Sequence, residues 1–390
     1  RCVKWSTTVN SIAVMPAMLQ RACQLAMQPP KGPVFVCIPT EFLLDKMTTD
    51  APASGSFPVP ATAGLQGIEE LADTLTNAKN PIIISESAGE NPRSVELLVE
   101  LAELLEVPVV ETRFCAYGNF PRCHPLHGGF EPAEFLQDAD VIILISAVAP
   151  WHPPSMRPNK GCRVIVLGEN PLRTQLPFWG FPVDVCLTGD VETSLQHLLE
   201  RLNEQIDAKD KNRSDRSIDW RSRFEKRKQE WREEVLTLGN GEVIDNRWVA
   251  HEMNKVLPSD AVVVDETITH RLALYRYLDR LKPESFFSGF MGGLGTGLGT
   301  ALGVKVAISR HPVVALIGDG AFNFNPALAA LGFAQEYGMP ILIVLFNNHG
   351  YLSMKTRLAC YYPEGWAMRA GTARDTSISP SPDYSAVAHA

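Results

Sequence analysis

Two polar clusters, each at the end of an apolar run, carry the residue types that could do chemistry in this chain. Val313 to Ile317 runs into Gly318-Asp319-Gly320, and Ile341 to Phe346 runs into Asn347-Asn348-His349-Gly350. One carboxylate (Asp319), one amide oxygen (Asn348) and a backbone carbonyl near Gly350 are hard oxygen donors of the kind magnesium prefers. Magnesium held this way usually keeps phosphate oxygens as its other partners. Gly318 and Gly320 let the backbone turn and approach a ligand closely. The helix that follows offers its first N–H groups to an anion. A lone Gly-Asp-Gly is also an ordinary turn; the order strand, Gly-Asp-Gly, helix, strand, Asn-Asn is far more specific.

The elements that must position these residues follow from periodicity. Runs of Val, Ile and Leu without alternation read as parallel strands covered on both faces, and helical patterns separate them. In a right-handed crossover both polar clusters then lie at the carboxyl ends of neighbouring strands, where open α/β sheets bind ligands. The fold class is therefore α/β, with parallel sheets flanked by helices. A helical pattern over Met15–Met27 and a strand at Val34–Ile38 form a unit lacking the sheet it should join. Residues 51–66 are rich in Pro, Ala, Ser and Gly and read as a linker. Residues 67–203 alternate helix and strand as a central α/β domain, 204–239 form a charged helical connector, and 240–390 form the last domain.

Composition narrows the classes. The 390 residues suffice for two or three domains. The net charge of −8 gives no reason to expect nucleic acid or an acidic membrane as partner. No apolar run reaches the ~20 residues that span a bilayer. The eight cysteines lie singly, with no C-x-x-C, which suggests reduced thiols in a cytoplasmic protein. In the charged connector Trp220, Phe224 and Trp231 share one helix face; packing on the body is the expectation there, rather than a nucleic-acid patch. Cys115, Cys123, His124 and His127 lie in one loop but match no zinc-finger spacing.

Gly-Asp-Gly at 318–320, residues 321–346 between, then Asn-Asn resembles the signature of thiamine-diphosphate-dependent enzymes, in the acetolactate synthase and benzoylformate decarboxylase branch. The resemblance implies thiamine diphosphate and Mg²⁺ as cofactors, with Asp319, Asn348 and the Gly350 carbonyl holding the metal. Gly318, Gly320, Ala321 and Tyr351 would adjoin the cofactor, and Thr269 would touch its diphosphate. In the glycine-rich run 289–299, Leu294 matches the apolar residue that props the bent cofactor, and the Gly292 carbonyl would accept from its aminopyrimidine. The run has no G-x-G-x-x-G and follows no clear strand, so it is not a dinucleotide fingerprint. His152, on a loop beyond the strand Val141–Ser146, is similar in place to a histidine that reaches the active site in benzoylformate decarboxylase, and is a candidate for proton transfer. FAD, which several acetolactate synthases bind in the central domain, is not expected.

By the same resemblance residues 1–50 are the end of a pyrimidine-binding domain, and the family's catalytic glutamate would precede Arg1. Both chain ends then read as cuts through structure, and little turnover is expected of this chain alone. The implied substrate is a 2-oxo acid, and the implied assembly a homodimer or homotetramer. Cleavage with CO₂ release could end in an aldehyde (a decarboxylase) or in attack on a second carbonyl (a carboligase). A non-catalytic cofactor-binding homologue is the reading from a different class.

Overall fold

The computed structural model describes residues 3–46, 57, 59–205, 219–279, 282–289, 293–373 and 376–389. Strands β1 (Trp5–Thr8) and β2 (Val34–Cys37) pair in parallel across helix α1 (Met15–Met27). Their residues alternate between half-buried and exposed, so neither face of this small sheet is fully covered.

The central unit is built differently. Helix α2 (Leu65–Asn77), strand β3 (Pro81–Ser85), helix α3 (Pro92–Leu105) and strands β4 (Val109–Glu111), β5 (Val141–Ile145), β6 (Arg163–Gly168) and β7 (Val185–Thr188) lead to helix α4 (Val191–Gln205). The strands form one parallel sheet in the order β4-β3-β5-β6-β7. Every residue of β3 and β5 is buried, as expected of apolar runs covered on both faces. Each fully buried Ile or Val there contributes roughly 1.5–3 kcal/mol of transfer free energy. In α2 the buried positions Ile68, Leu71, Ala72 and Leu75 repeat at helical spacing. Helix α3 begins at Pro92. Asn91 caps it by accepting from the Arg93 N–H, and Pro92 suits the first turn because its missing donor would be unpaired anyway. Strand β4 starts only at Val109, because the Val107 N–H still bonds back to the Ala102 carbonyl of that helix.

Helix α5 (Trp220–Leu236) ties this unit to the next. Trp220 and Phe224 are buried in the central core against Phe135, while Val235, at the other end, is buried in the second core. The expected aromatic stripe is thus a packing surface shared by two cores.

The last unit contains α6 (Asn246–Val256), β8 (Val262–Glu266), α7 (Arg271–Tyr277), β9 (Phe286–Ser288), α8 (Gly297–Ala307), β10 (Val313–Gly318), α9 (Asp319–Phe324), α10 (Ala327–Glu336), β11 (Leu342–Phe346) and α11 (Leu352–Tyr361). Its parallel sheet has the order β11-β10-β8-β9. Strand β9 and helix α7 escape a sequence reading because both are short. Strand β9 is held from outside its own unit: Tyr117 bridges to Phe287, and the Ser288 N–H donates to the Ala116 carbonyl at 2.8 Å. Both sheets reverse their strand order once, between β3 and β5 and between β8 and β10, and such points open a crevice at the carboxyl ends.

Candidate active site

The register of the last sheet brings the polar clusters together. Ile317 pairs with Glu266 and Gly318 with Phe346, so β8, β10 and β11 end side by side. A cleft at these ends is lined by Thr269, Leu294, Gly318, Asp319, Gly320, Ala321, Asn348, Gly350 and Tyr351, joined by Glu266 and His270. Every described residue expected at the cofactor lines this one cleft. Gly292 lies outside the described residues. His152 is exposed on the loop after β5 and does not line the cleft.

Asp319 is 2 % exposed, and its two oxygens are held separately. Oδ1 accepts from the Gly320 N–H at 2.8 Å and Oδ2 from the Gly350 N–H at 2.9 Å. The Gly350 N–H also reaches Asn348 Oδ1 at 3.2 Å. A carboxylate and an amide oxygen therefore converge on one N–H. This hard-oxygen donor set fits a magnesium ion better than a softer metal. Among the described residues no group of three or more His, Cys, Asp or Glu side chains gathers in the manner of a zinc site.

Gly318 has φ −75°, and Asp319 and Gly320 open helix α9, so no left-handed backbone is used there. A Cβ at Gly320 would lie 2.8 Å from the Tyr351 ring, whereas one at Gly318 would meet nothing within 4 Å. Gly318 therefore leaves space beside the carboxylate. In the glycine-rich run the demand comes from the protein itself. Gly295 has φ +94°, and a Cβ at Gly297 would lie 2.6 Å from the Glu266 carboxylate.

Glu266 is the organiser that the sequence did not announce. It is buried, and its Oε1 accepts from the N–H groups of Gly295 at 2.7 Å and Thr296 at 2.9 Å. Its Oε2 accepts from the Gly297 N–H at 2.9 Å and from Asn325 Nδ2 at 2.7 Å. Asn325 in turn bonds the Ala321 carbonyl and the Leu298 N–H. One carboxylate thus ties β8 to the loop bearing Leu294 and, through Asn325, to α9. His270 sits between two amides, Asn246 at 2.8 Å and Asn348 at 3.4 Å. Burial pushes its pKa down, with Asp319 and other acids opposing, which favours the neutral ring beside the metal-type donors. Asp265 accepts from Thr267 and pairs with buried Arg271 at 3.0 Å, fixing the turn that leads to Thr269. Only the strand-end position of Glu266 and His270 was a sequence signal for them.

The loop of Cys115, Cys123, His124 and His127 has other work. His127 Nε2 meets Glu111 Oε2 at 3.0 Å, both buried, and His124 Nε2 meets Glu103 Oε1 at 3.1 Å. Burial opposes ionisation of both members of the first pair. The His127, Arg122 and Asn119 partners nevertheless hold the Glu111 carboxyl below its usual range, and the imidazole is pushed down. All seven described cysteines are free.

A doubly layered α/β protein with an oxygen-donor cleft at a strand-order reversal is of the class that anchors a phosphorylated cofactor through a cation. Residues 268–390 match the family model "Thiamine pyrophosphate enzyme, C-terminal TPP binding domain", and residues 68–198 match "Thiamine pyrophosphate enzyme, central domain". The chain belongs to the family of thiamine-pyrophosphate-dependent enzymes. It is 26 % identical to benzoylformate decarboxylase of Pseudomonas aeruginosa, over 90 % of this chain and 64 % of that protein. It is 28 % identical to the acetolactate synthase isozyme 3 large subunit of Escherichia coli, over 90 % of this chain and 62 % of that one. The fold is that of benzoylformate decarboxylase from Polynucleobacter necessarius (TM-score 0.79, 22 % identity, 98 % of this chain and 68 % of that chain). The chain spans about three-fifths of the length of the curated relatives it matches. Among the described residues no helix is long and apolar enough to cross a membrane.

Proposed function

We propose that this chain binds thiamine diphosphate through Mg²⁺ and serves a 2-oxo acid decarboxylase of the benzoylformate-decarboxylase kind. The observation that carries the reading is the convergence of Asp319 Oδ2 and Asn348 Oδ1 on the Gly350 N–H, inside a cleft that Thr269 and Leu294 also line. Asp319, Asn348 and the Gly350 carbonyl would hold the cation, which in turn holds diphosphate oxygens. Thr269 would contact the diphosphate, and Leu294, fixed through Glu266, would support the cofactor between its rings, with Gly292 beside it. When bound, thiamine diphosphate supplies a nucleophilic carbon and an electron sink for loss of CO₂ from a 2-oxo acid.

The chain's own residues bind and orient. Asp319 arrives with both oxygens already pointed by backbone donors, so little reorganisation accompanies metal binding. The Glu266 clamp holds the Leu294 loop in one place. His152 remains a candidate for proton transfer that would need the central loop to meet substrate. No residue of this chain is assigned the family's catalytic glutamate, so we expect the 390-residue chain to bind cofactor without turning substrate over. The complete site would form in a homodimer or homotetramer in the cytoplasm. No flavin enters this reading; at the central crevice Glu86 Oε2 accepts from the Val148 and Ala149 N–H groups, at 2.9 and 3.1 Å.

An acetolactate-synthase-like carboligase is the second reading, favoured by the relative of comparable identity. Calorimetric titration of the full chain with thiamine diphosphate, with and without Mg²⁺, tests the cofactor reading. Binding that ignores Mg²⁺, or no binding at all, would sink it and leave a non-catalytic homologue. Aldehyde release from benzoylformate against acetolactate formation from pyruvate, in the assembled enzyme, separates the two chemistries.

A further inference from the structure

The two side chains of the cation donor set differ in one respect. Asp319 presents an acceptor in any rotation, whereas an asparagine amide offers an oxygen on one side and N–H donors on the other. A half-turn about its last bond exchanges the two, and only the oxygen can serve a cation. Whatever keeps the Asn348 oxygen turned into the cleft is therefore part of the site. One constraint is local: Oδ1 lies 3.2 Å from the Gly350 nitrogen, and the turned-over amide would set donor against donor there. The other is His270, which lines the same cleft and whose Nε2 lies 3.4 Å from Asn348 Nδ2.

These contacts have one consistent direction. Asn348 Nδ2 donates, so His270 Nε2 accepts and carries no hydrogen. A neutral imidazole with an accepting Nε2 carries its hydrogen on Nδ1. The Asn246 amide, 2.8 Å from Nδ1, must then present its oxygen there, since the oxygen and nitrogen of an amide are told apart only by such a network. The Asn348 end is the slack end of this relay, and the far end is firmly seated. The imidazole lies against the Phe346 ring, 5.5 Å between centroids, and the Leu274 N–H bonds the His270 carbonyl where α7 begins. Asn246 opens α6, next to the Asp245 cap, and Arg247 pairs with both Asp245 and Glu234 of α5. The relay thus runs from a helix start to the loop after β11.

We propose that His270 is a positioning residue of the cation site: Asn246 fixes its tautomer, and its unprotonated Nε2 keeps the Asn348 oxygen turned into the cleft for the metal. The inference rests on the Mg²⁺ and thiamine diphosphate reading above and adds a residue that acts through Asn348. Outer partners that orient a ligand in this way are worth about 10–100-fold in metal affinity. At position 270 the acceptor matters, and the ring as such does not.

Two measurements on the full chain test the relay. The first is calorimetric titration of Mg²⁺ in the presence of thiamine diphosphate. His270→Leu keeps an apolar side chain against Phe346 but removes the acceptor, and should weaken Mg²⁺ about tenfold. His270→Gln, whose amide oxygen can face Asn348, should recover most of that loss. The second is ¹⁵N nuclear magnetic resonance of the histidine-labelled wild type, well above the ordinary histidine pKa, with the His270 signals assigned by their loss in His270→Gln. The Nδ1–H tautomer is expected, and Asn246→Leu should shift the ring toward Nε2–H. The tautomer is read in the wild type, so it stands whatever the variants do to folding. An Nε2–H ring in the wild type, wild-type Mg²⁺ affinity in His270→Leu, or a His270→Gln loss as large as that of His270→Leu overturns the relay alone. A wild type that does not bind thiamine diphosphate with Mg²⁺ removes the cation reading itself, and the relay with it.

Discussion

The central sheet and the last sheet are both parallel, and both reverse strand order beside a buried carboxylate, yet their crevices differ. In the central unit Glu86, just beyond β3, reaches across to the amides after β5 and fills the crevice with the protein's own carboxylate. In the last unit Glu266 turns to the glycine-rich loop instead, and the space between β8 and β10 stays open beside Asp319. Topology supplies a crevice twice; where each carboxylate is aimed decides whether the crevice can take a ligand. The sheets also differ in cover. All of β3 and β5 is buried, whereas β11 leaves Leu342 54 % exposed, and its helix α10 leaves Leu328 82 % exposed. One sheet is a self-sufficient core, and the other keeps apolar surface at its β11 edge.

The open crevice gives the largest expected effect. Asp319→Ala removes the only carboxylate of the donor set and leaves the Gly320 N–H without its side-chain acceptor. Losing an outer partner of a metal site costs roughly 10–100-fold in affinity, and a direct ligand should cost at least the upper end of that range. Titration of thiamine diphosphate in the presence of Mg²⁺ reads the loss. Unchanged affinity would make the open crevice no more functional than the filled one.

Cover comes next. Ile143 in β5 is 1 % exposed, and Ile143→Ala should cost about 2–5 kcal/mol. Ile343 in β11 is only partly buried, and Ile343→Ala should cost about 1 kcal/mol, since less area leaves water there on folding. Urea unfolding followed at each substitution, with hydrogen exchange to assign the unit that opens, checks the ratio. Equal costs would mean that the β11 edge is as well packed as the central core.

How much of this was legible follows the same division. The strands of the central unit could be read because a strand covered on both faces is written as an uninterrupted apolar run, and Gly-Asp-Gly with Asn-Asn could be read because each cluster is local. Partners held across long separations could not. Glu266 bonds N–H groups about thirty residues on, and Arg122 reaches a carbonyl 156 residues away. Strand β9 depends on Tyr117 in another unit, so its three residues carry no pattern of their own. The glycines of the run 289–299 were legible as a need for small residues. That Glu266 and the Phe324 backbone impose the need at 297 and 295 was not.

The two carboxylates can be compared directly by the same change. In Glu266→Gln the side chain keeps its shape but turns a donor toward N–H groups, because both oxygens of the native residue are used. A cost of about 1–3 kcal/mol is expected. Weaker cofactor binding should follow as the Leu294 loop loosens. Retention of both wild-type stability and affinity would remove Glu266 from the account of the site.

Glu86→Gln should be the mildest and should differ in its pH dependence. Only Oε2 of Glu86 accepts the two amides, so a glutamine oxygen can take its place. Burial pushes the Glu86 carboxyl up, with the Ala149 and Val148 amides and Arg173 opposing. A folded-state value above the unfolded one means that the native protein binds more protons between the two. The Glu86 contribution to stability is therefore complete below the ordinary glutamate range and is lost as pH rises through the raised value. Glutamine cannot ionise, so relative to wild type the variant should gain stability, by about 1 kcal/mol or less, as pH rises from about 4 to 7. Buried His127 runs the other way. Its depressed pKa makes its contribution complete above about 6.5 and lost on acidification, in wild type and variant alike, so the difference between the two proteins isolates Glu86. Unfolding midpoints of both proteins across that range supply the measurement. A variant that loses stability relative to wild type as pH rises would show that the ionised carboxylate, once aimed at two amides, is a net stabiliser of the filled crevice.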